Sequence, residues 1–207
     1  KKAKNDGVSA SVEGGSFGSF GAQGRVQTAF ETDKWTQAYS VSGGYKRSDG
    51  GTENSDFEKG QGYGNLSFSY DQRFDIIAQL GIATQSYGAN TFYSAKYNNQ
   101  YEKTDHGMAS LNLSLHNQEK TWEIAPQFYY NKFKDHYQLI RGKAGAAAGE
   151  NYHDLDVYGG GLNANVAWAL GKTAVGFDIS KECIYSTALG EELAEKDYKD
   201  ISGSDRQ

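Results

Sequence analysis

Long apolar runs, proline, cysteine and clustered positive charge are all scarce in this chain of 207 residues, and each scarcity excludes something. The lone cysteine, Cys183, has no internal disulfide partner, so cysteine pairing says nothing of the redox compartment, and it reads as an ordinary strand residue. One proline stands where average usage of about 5% would give roughly ten, which rules out collagen and Pro-rich linkers. No stretch approaches the roughly 18 apolar residues of a membrane helix: residues 74–83 carry Asp75 and Gln79, and 166–170 are too few. Lys46-Arg47 and Lys1-Lys2 are the only basic pairs in a balance of 21 basic to 26 acidic residues, so the phosphate-tracking surface that nucleic acid requires is missing.

What the chain does have is glycine and aromatic rings. Gly accounts for 26 residues, and Trp, Tyr and Phe for 3, 15 and 10. Disordered chains do not carry such an aromatic load, even at a mean hydropathy of −0.73. The length suits a single domain over 1–207. Because it opens at Lys1 without an apolar leader and stops in a polar stretch, the chain reads as an excised or mature segment.

Apolar residues recur at period two almost throughout, which is the strand period. Leu66, Phe68 and Tyr70 alternate with Asn65, Ser67 and Ser69, and Leu111, Leu113 and Leu115 with Asn112, Ser114 and His116. Val8 to Val12, Phe74 to Ile82, Trp122 to Tyr130, Leu162 to Leu170 and Val175 to Ile179 follow the same rule. Adding Val26 to Phe30 and Trp35 to Tyr45 gives about nine strands.

Alternation alone does not separate a soluble sandwich from a lipid-facing sheet, but the connections do. Links at 31–34, 71–73, 117–121 and 171–172 are short, whereas those at 47–62, 87–105 and about 135–152 are long. The first link, 15–21, is the one short connection on the long side. Short turns at one end and long loops at the other characterise an outer-membrane barrel. Trp35, Trp122 and Trp168, joined by Phe30, Tyr70 and Phe74, all lie within a few residues of a short link, as an aromatic belt at one membrane interface would. The expected fold class is therefore all-β, an antiparallel meander of about nine strands forming a segment of a transmembrane β-barrel. Asn112, Ser114, Asn163, Asn165, Asp178 and Ser180 would line its hydrated side.

Two places break the pattern. Pro126 lies mid-strand without an N–H, which predicts a bulge or local break. Gly159-Gly160-Gly161 separates odd-numbered Leu155 and Val157 from the even-numbered series at Leu162 to Leu170, which predicts a glycine bulge.

Three segments carry a family resemblance. YGANTFYSAKYNNQYEKTD at 87–105 looks like the third extracellular loop of TonB-dependent outer-membrane receptors, in particular the vitamin B12 (cobalamin) receptor-like branch of Bacteroides type. VSASVEGGSFGSFG at 8–21 resembles that family's first barrel strand and hairpin, and KECIYSTALG at 181–190 its ninth strand and loop. The resemblance implies placement in the outer membrane among its lipids and active uptake of a large scarce ligand, a corrinoid or an iron chelate. It also implies a fragment: such receptors have 22 strands, an N-terminal plug and a box that binds TonB, and neither plug nor box is expected in this stretch, so TonB would act only through the absent plug. No catalytic residue is implied, and no P-loop, catalytic carboxylate pair or Ser-His-Asp spacing is found, so the chain is not expected to be an enzyme.

Candidate sites follow from the long connections. Tyr87, Asn90, Phe92, Tyr93, Tyr97 and Tyr101 make the second aromatic and amide-rich, suited to stacking on and hydrogen-bonding a large amphipathic ligand; a loop packing on its own tyrosines is the plain alternative. Asp49, Glu53 and Asp56 in 47–62 supply oxygens that suit calcium, or else form a solvated acidic loop. His136 and His153, flanked by Asp135 and Asp154 around a tip at 142–149, would offer a divalent metal two imidazoles and two carboxylates if they faced each other; polar residues at a loop base are the simpler account. Asn65 and Asn112 match a glycosylation acceptor but fall mid-strand. A soluble β-sandwich that binds glycans is the rival reading; it would bury the Leu66 and Leu111 faces against each other.

Overall fold

The computed structural model describes residues 6–143, 149–188, 191–192 and 205–206. They form one all-β sheet with no helix. Nine long strands run in sequence order as an antiparallel meander: β1 (Gly7–Gly14), β2 (Phe20–Glu31), β3 (Trp35–Ser48), β4 (Phe57–Tyr70), β5 (Phe74–Asn90), β6 (Gln100–His116), β7 (Trp122–Gln138), β8 (Glu150–Trp168) and β9 (Gly171–Ala188). Two-residue strands β10 (Glu191–Glu192) and β11 (Asp205–Arg206) both pair with β9, and β1 does not pair with β9, so the sheet is not closed. Residues 144–148 of the expected loop tip, and 189–190 of the segment that resembles the ninth strand and its loop, lie outside the described residues.

The long connections are shorter than the alternation suggested, spanning 49–56, 91–99 and 139–149, because the strands continue well beyond their apolar stretches. Tyr87 and Asn90 therefore stand on β5 and Tyr101 on β6 rather than in a loop. At the opposite end, the three-residue link 71–73 places Asp71 and Gln72 at φ 49° and 53° and closes with Arg73 N–H donating to the Tyr70 carbonyl at 2.9 Å. Positive φ at both central residues of the 70–73 turn matches the native twist of the strands it joins.

Cross-strand register shows one apolar and one polar face across the whole sheet. Trp35 pairs with Tyr70, Tyr70 with Phe74, Phe74 with Leu115, Leu115 with Ile124 and Ile124 with Ala164. Directly opposed residues share a face, so these rings and aliphatic groups form one continuous band. Trp122 and Trp168 belong to the same face, as does Phe30. Leu66 and Leu111 both oppose Ala78, on the same side of a single sheet, so nothing stacks one against the other as a sandwich would. The six residues expected to be hydrated all lie on the opposite face.

Burial is inverted relative to a water-soluble domain. Among the described residues the buried hydrophobics are Ala38 and Ala89 alone, whereas Ser40, Ser67, Gln100, Thr104 and His116 are buried. Leu80, Ile82, Phe128, Phe177 and Ile179, all on the apolar face, are each more than half exposed. The accessible surface is 13,466 Å², against roughly 9,500 Å² for a compact monomer of this mass. On the polar face, side chains from β1 through β7, including Ser9, Gln23, Gln61, His106 and Asn131, line one hollow of about 800 Å³. The polar face is therefore the concave one.

The two exceptions resolve differently. At Pro126 the β6–β7 pairing stops after Asn112–Gln127 and resumes at Leu115–Ile124 in unchanged register, a local break without a bulge. Gly159 to Gly161 hold no bulge at all: β7–β8 and β8–β9 keep one register from end to end. Their glycines make room instead, since a Cβ on Gly159 would sit 2.6 Å from the Tyr129 ring and 2.7 Å from the Ile179 carbonyl, and one on Gly161 2.9 Å from Gln127 Nε2. Leu155 and Val157 consequently share the polar face, and Asp154 and Asp156 the other. Replacing Gly159 with Ala is expected to cost about 1–3 kcal/mol. Gly64→Ala, where a Cβ meets nothing within 4 Å, is expected to be neutral or stabilising; denaturant unfolding of both variants checks this.

Candidate functional site

The loop end of the concave face carries the densest polar cluster. Register alone sets its base, because Tyr87 of β5, Glu102 of β6 and Tyr137 of β7 oppose one another in a row. The 91–99 connection folds Tyr93 back over this row, with its hydroxyl 3.0 Å from that of Tyr87 and its ring 5.4 Å from Tyr137, edge to face. Tyr87 donates to Glu102 at 2.6 Å and Tyr93 donates to the same oxygen. Burial, followed by the Glu102 carboxylate, pushes both phenols above their ordinary value, so they remain neutral donors. Phe92, 79% exposed, packs edge-on against Tyr93 at 4.9 Å and projects outward.

One amide of this stretch, Gln100, holds the loop shut. Gln100 is fully buried, and its Nε2 donates to the carbonyls of Asn90, Ser94 and Tyr97 at 2.9, 3.1 and 2.7 Å while its Oε1 accepts from Tyr137 at 2.8 Å. Asn54, at φ 52°, donates through Nδ2 to the Asn98 and Gln100 carbonyls at 3.1 and 2.6 Å. Its close approach requires Gly88, where a Cβ would lie 2.6 Å from the Asn54 carbonyl oxygen. Arg141 completes the clamp: bidentate to Asp56 at 2.6 and 2.8 Å, it also reaches Asn54 at 3.1 Å, and its backbone N–H donates to the Asn99 carbonyl. Three connections distant in sequence are thereby fused into one surface. An amide and a guanidinium inside loops look like any other polar loop residue, so only their convergence in space gives them this role.

The candidates fare unequally. Tyr87 and Tyr93 come together, and Phe92 stands beside them; Asn90 donates to the Glu53 carbonyl at 2.9 Å, and Tyr97 faces Lys96 at 5.6 Å. Tyr101 is on the other face, under Arg141 at 4.9 Å and edge-on to His136. Asp49, Glu53 and Asp56 do not converge: Asp49 pairs with Arg47 at 2.7 Å, and Arg141 occupies Asp56 and holds its carboxyl below the ordinary range. His136 and His153 sit in adjacent registers, opposite Tyr152 and Asp135 respectively, and so point to opposite faces. His136 stacks on Tyr152 at 4.3 Å and reaches Glu150 at 2.7 Å, whereas His153 bonds Ser186. Among the described residues no three His, Cys, Asp or Glu side chains are grouped to hold a metal ion. Asp135 on the concave side is pushed up by burial and by the neighbouring Glu102.

Compared with known protein families, curated proteins and solved structures, the chain matches none.

Gln100→Ala removes the hub of the second connection and is expected to raise amide hydrogen exchange over 91–99, with a stability loss of about 1–3 kcal/mol. The Asp56–Arg141 contribution, from a depressed carboxylate, is complete above the ordinary carboxylate range and disappears as pH falls through the lowered value. Asp56→Asn at neutral pH is therefore expected to reproduce the exchange that acid produces in the unaltered chain.

Proposed function

We propose that this chain is a segment of a TonB-dependent outer-membrane receptor barrel, serving active uptake of a large scarce ligand, a corrinoid or an iron chelate. One observation carries the membrane half of this reading: the length and boundaries of the apolar band. On the convex face, Trp122 to Tyr130 of β7 spans nine residues before Lys132, and Trp168 to Tyr158 of β8 spans eleven before Asp156. Trp35 to Tyr45 of β3 spans eleven before Arg47. A tilted membrane strand needs about 9–11 residues. Trp rings mark one edge of the band and Tyr45, Tyr130 and Tyr158 the other, as amphipathic rings do where hydrocarbon meets headgroups. Beyond the second edge the same face turns charged, with Lys132 bridging Asp154 at 3.0 Å and Asp156 at 2.8 Å. No described helix is long and apolar enough to cross a membrane.

The receptor half rests on the clamped loops. Phe92 and Tyr93 present exposed rings beside phenol, carboxylate and amide groups at the loop end of the concave face, the mixture a large ligand with both apolar and hydrogen-bonding surface requires. Energy coupling through TonB would act on a plug outside this segment.

In vesicles of lipids brominated on their acyl chains, the fluorescence of Trp35, Trp122 and Trp168 is expected to be strongly quenched; a protein that stays soluble without detergent and is unquenched overturns the membrane reading. Phe92→Ala combined with Tyr93→Ala in the whole receptor is expected to weaken ligand binding about tenfold or more, and unchanged affinity would remove these loops from ligand capture.

A further inference from the structure

A second hollow lies on the convex face, at the height where the apolar band ends. Its volume is about 370 Å³, and the side chains of Tyr45, Glu58, Thr84, Ser86, Tyr101 and Lys103 surround it, with Gly60 at its floor. Every one of these residues belongs to the apolar side of the sheet by register. The charges are of both signs. Glu58 accepts the Tyr45 hydroxyl at 2.9 Å, and the ammonium of Lys103 has as its nearest carboxylate Asp105 at 3.8 Å, the outer limit of an ion pair. Lys103 thus keeps its donors for something else, beside the hydroxyls of Thr84 and Ser86.

From this hollow a channel runs toward the short turns. Its floor is Gly60, Gly62 and Gly64, successive residues of β4 on the convex face, and Gly43 of β3 lies beside Gly62. Its walls are Tyr45 and Val41 on one side and Thr84, Ile82 and Leu80 on the other, and Leu66 closes the far end. At about 3.4 Å per residue the floor is roughly 14 Å long. Nothing in the fold itself calls for these glycines: none has positive φ, a Cβ at Gly60 or Gly62 would meet its neighbour at an ordinary 3.5 or 3.4 Å, and at Gly64 it would meet nothing within 4 Å. Each weakens a strand interior by about 0.5–1 kcal/mol relative to Ala, a cost that persists where another molecule approaches the backbone.

We propose that this hollow and channel bind one membrane lipid whose head group carries both a phosphate and an amine. The phosphate lies against Lys103, Thr84 and Ser86, the amine against Glu58 and the rings of Tyr45 and Tyr101, and an acyl chain occupies the glycine floor. The charge pattern selects this occupant: an anionic head group alone would meet Glu58, and a cationic one Lys103. The inference rests on the reading of the convex face as lipid-facing.

The test uses the protein extracted from its membrane and purified in detergent, with phosphatidylethanolamine in mixed micelles as the probe and bound lipid read by phosphorus assay and mass spectrometry. The unaltered chain is expected to retain this lipid through detergent washing. Lys103→Ala and Gly64→Leu, the latter filling open space in the channel, are each expected to lower retention about fivefold or more. Lys134→Ala, a cation on the same face outside the hollow, is expected to leave it unchanged. No retained lipid in the unaltered chain, equal retention by both variants, or equal binding of soluble phosphoethanolamine overturns the proposal. Tryptophan quenching by brominated lipid in the same preparation separates the two readings: if it persists, only the lipid site is lost. A far-ultraviolet β-sheet signal identifies any variant that has not folded, and Lys103→Ala then decides alone.

Discussion

Strand-to-strand hydrogen bonding holds this molecule together, because it has almost nothing else. A domain of this length ordinarily closes over a hydrophobic interior, yet among the described residues the buried apolar ones are two alanines. Eight successive antiparallel ladders, most of them 14 to 17 pairs long, satisfy the backbone from one end of the meander to the other. That constraint explains the rest. A chain whose cohesion comes from its main chain is free to send apolar side chains outward, and once they point outward, hydrocarbon is the solvent that suits them. Where the ladder is interrupted, at Leu113 and Ser114 opposite Ala125 and Pro126, the gap stays confined and the register survives it.

The two ends of the sheet divide the labour. Toward the short turns side chains are apolar and aromatic, and polar side chains on the concave side pair locally, as His116 does with Asp75 at 3.1 Å and Ser114 with Glu123 at 2.6 Å. Toward the long connections both faces are polar, and the network becomes long-range: Arg141 reaches Asp56 across 85 residues of sequence. An arrangement that is rigid at its base and clamped at its tip can display Phe92 and Tyr93 in a fixed position, which lowers the ordering cost of binding anything there.

What the sequence disclosed was whatever depends on the sheet having one apolar and one polar face. Period-two alternation, the tight turns and the siting of Trp35, Trp122 and Trp168 could all be read directly. Legibility ended where that difference ends. Above Tyr130 and Tyr158 both faces are polar, so Lys132, Lys134, Asp154 and Asp156 carry no apolar counterpart, and strands continuing through 87–90, 100–105 and 135–138 looked like loops. The apparent slip at Gly159 to Gly161 had the same origin: Leu155 faces inward because the outward positions have turned polar there, not because the chain has shifted. The pairing of His136 with His153 failed for a simpler reason, a one-residue offset in register that sends the two rings to opposite sides. The clamping roles of Gln100 and Arg141 were invisible because hub residues are defined by their partners, and partners are not written in a linear string.

If the convex face meets lipid as proposed, the abrupt change there, from Tyr130 to Lys132 and from Tyr158 to Asp156, acts as a waterline. Sinking by a single pair of residues would submerge a row of ammonium and carboxylate groups, with a penalty that rises from near zero at the headgroups to about 2–4 kcal/mol per lysine or arginine at mid-depth. Rising by the same step would lift indole rings out of the opposite interface. On that reading the draught of the sheet is gauged from both sides, and its loops stand at a constant height above the bilayer.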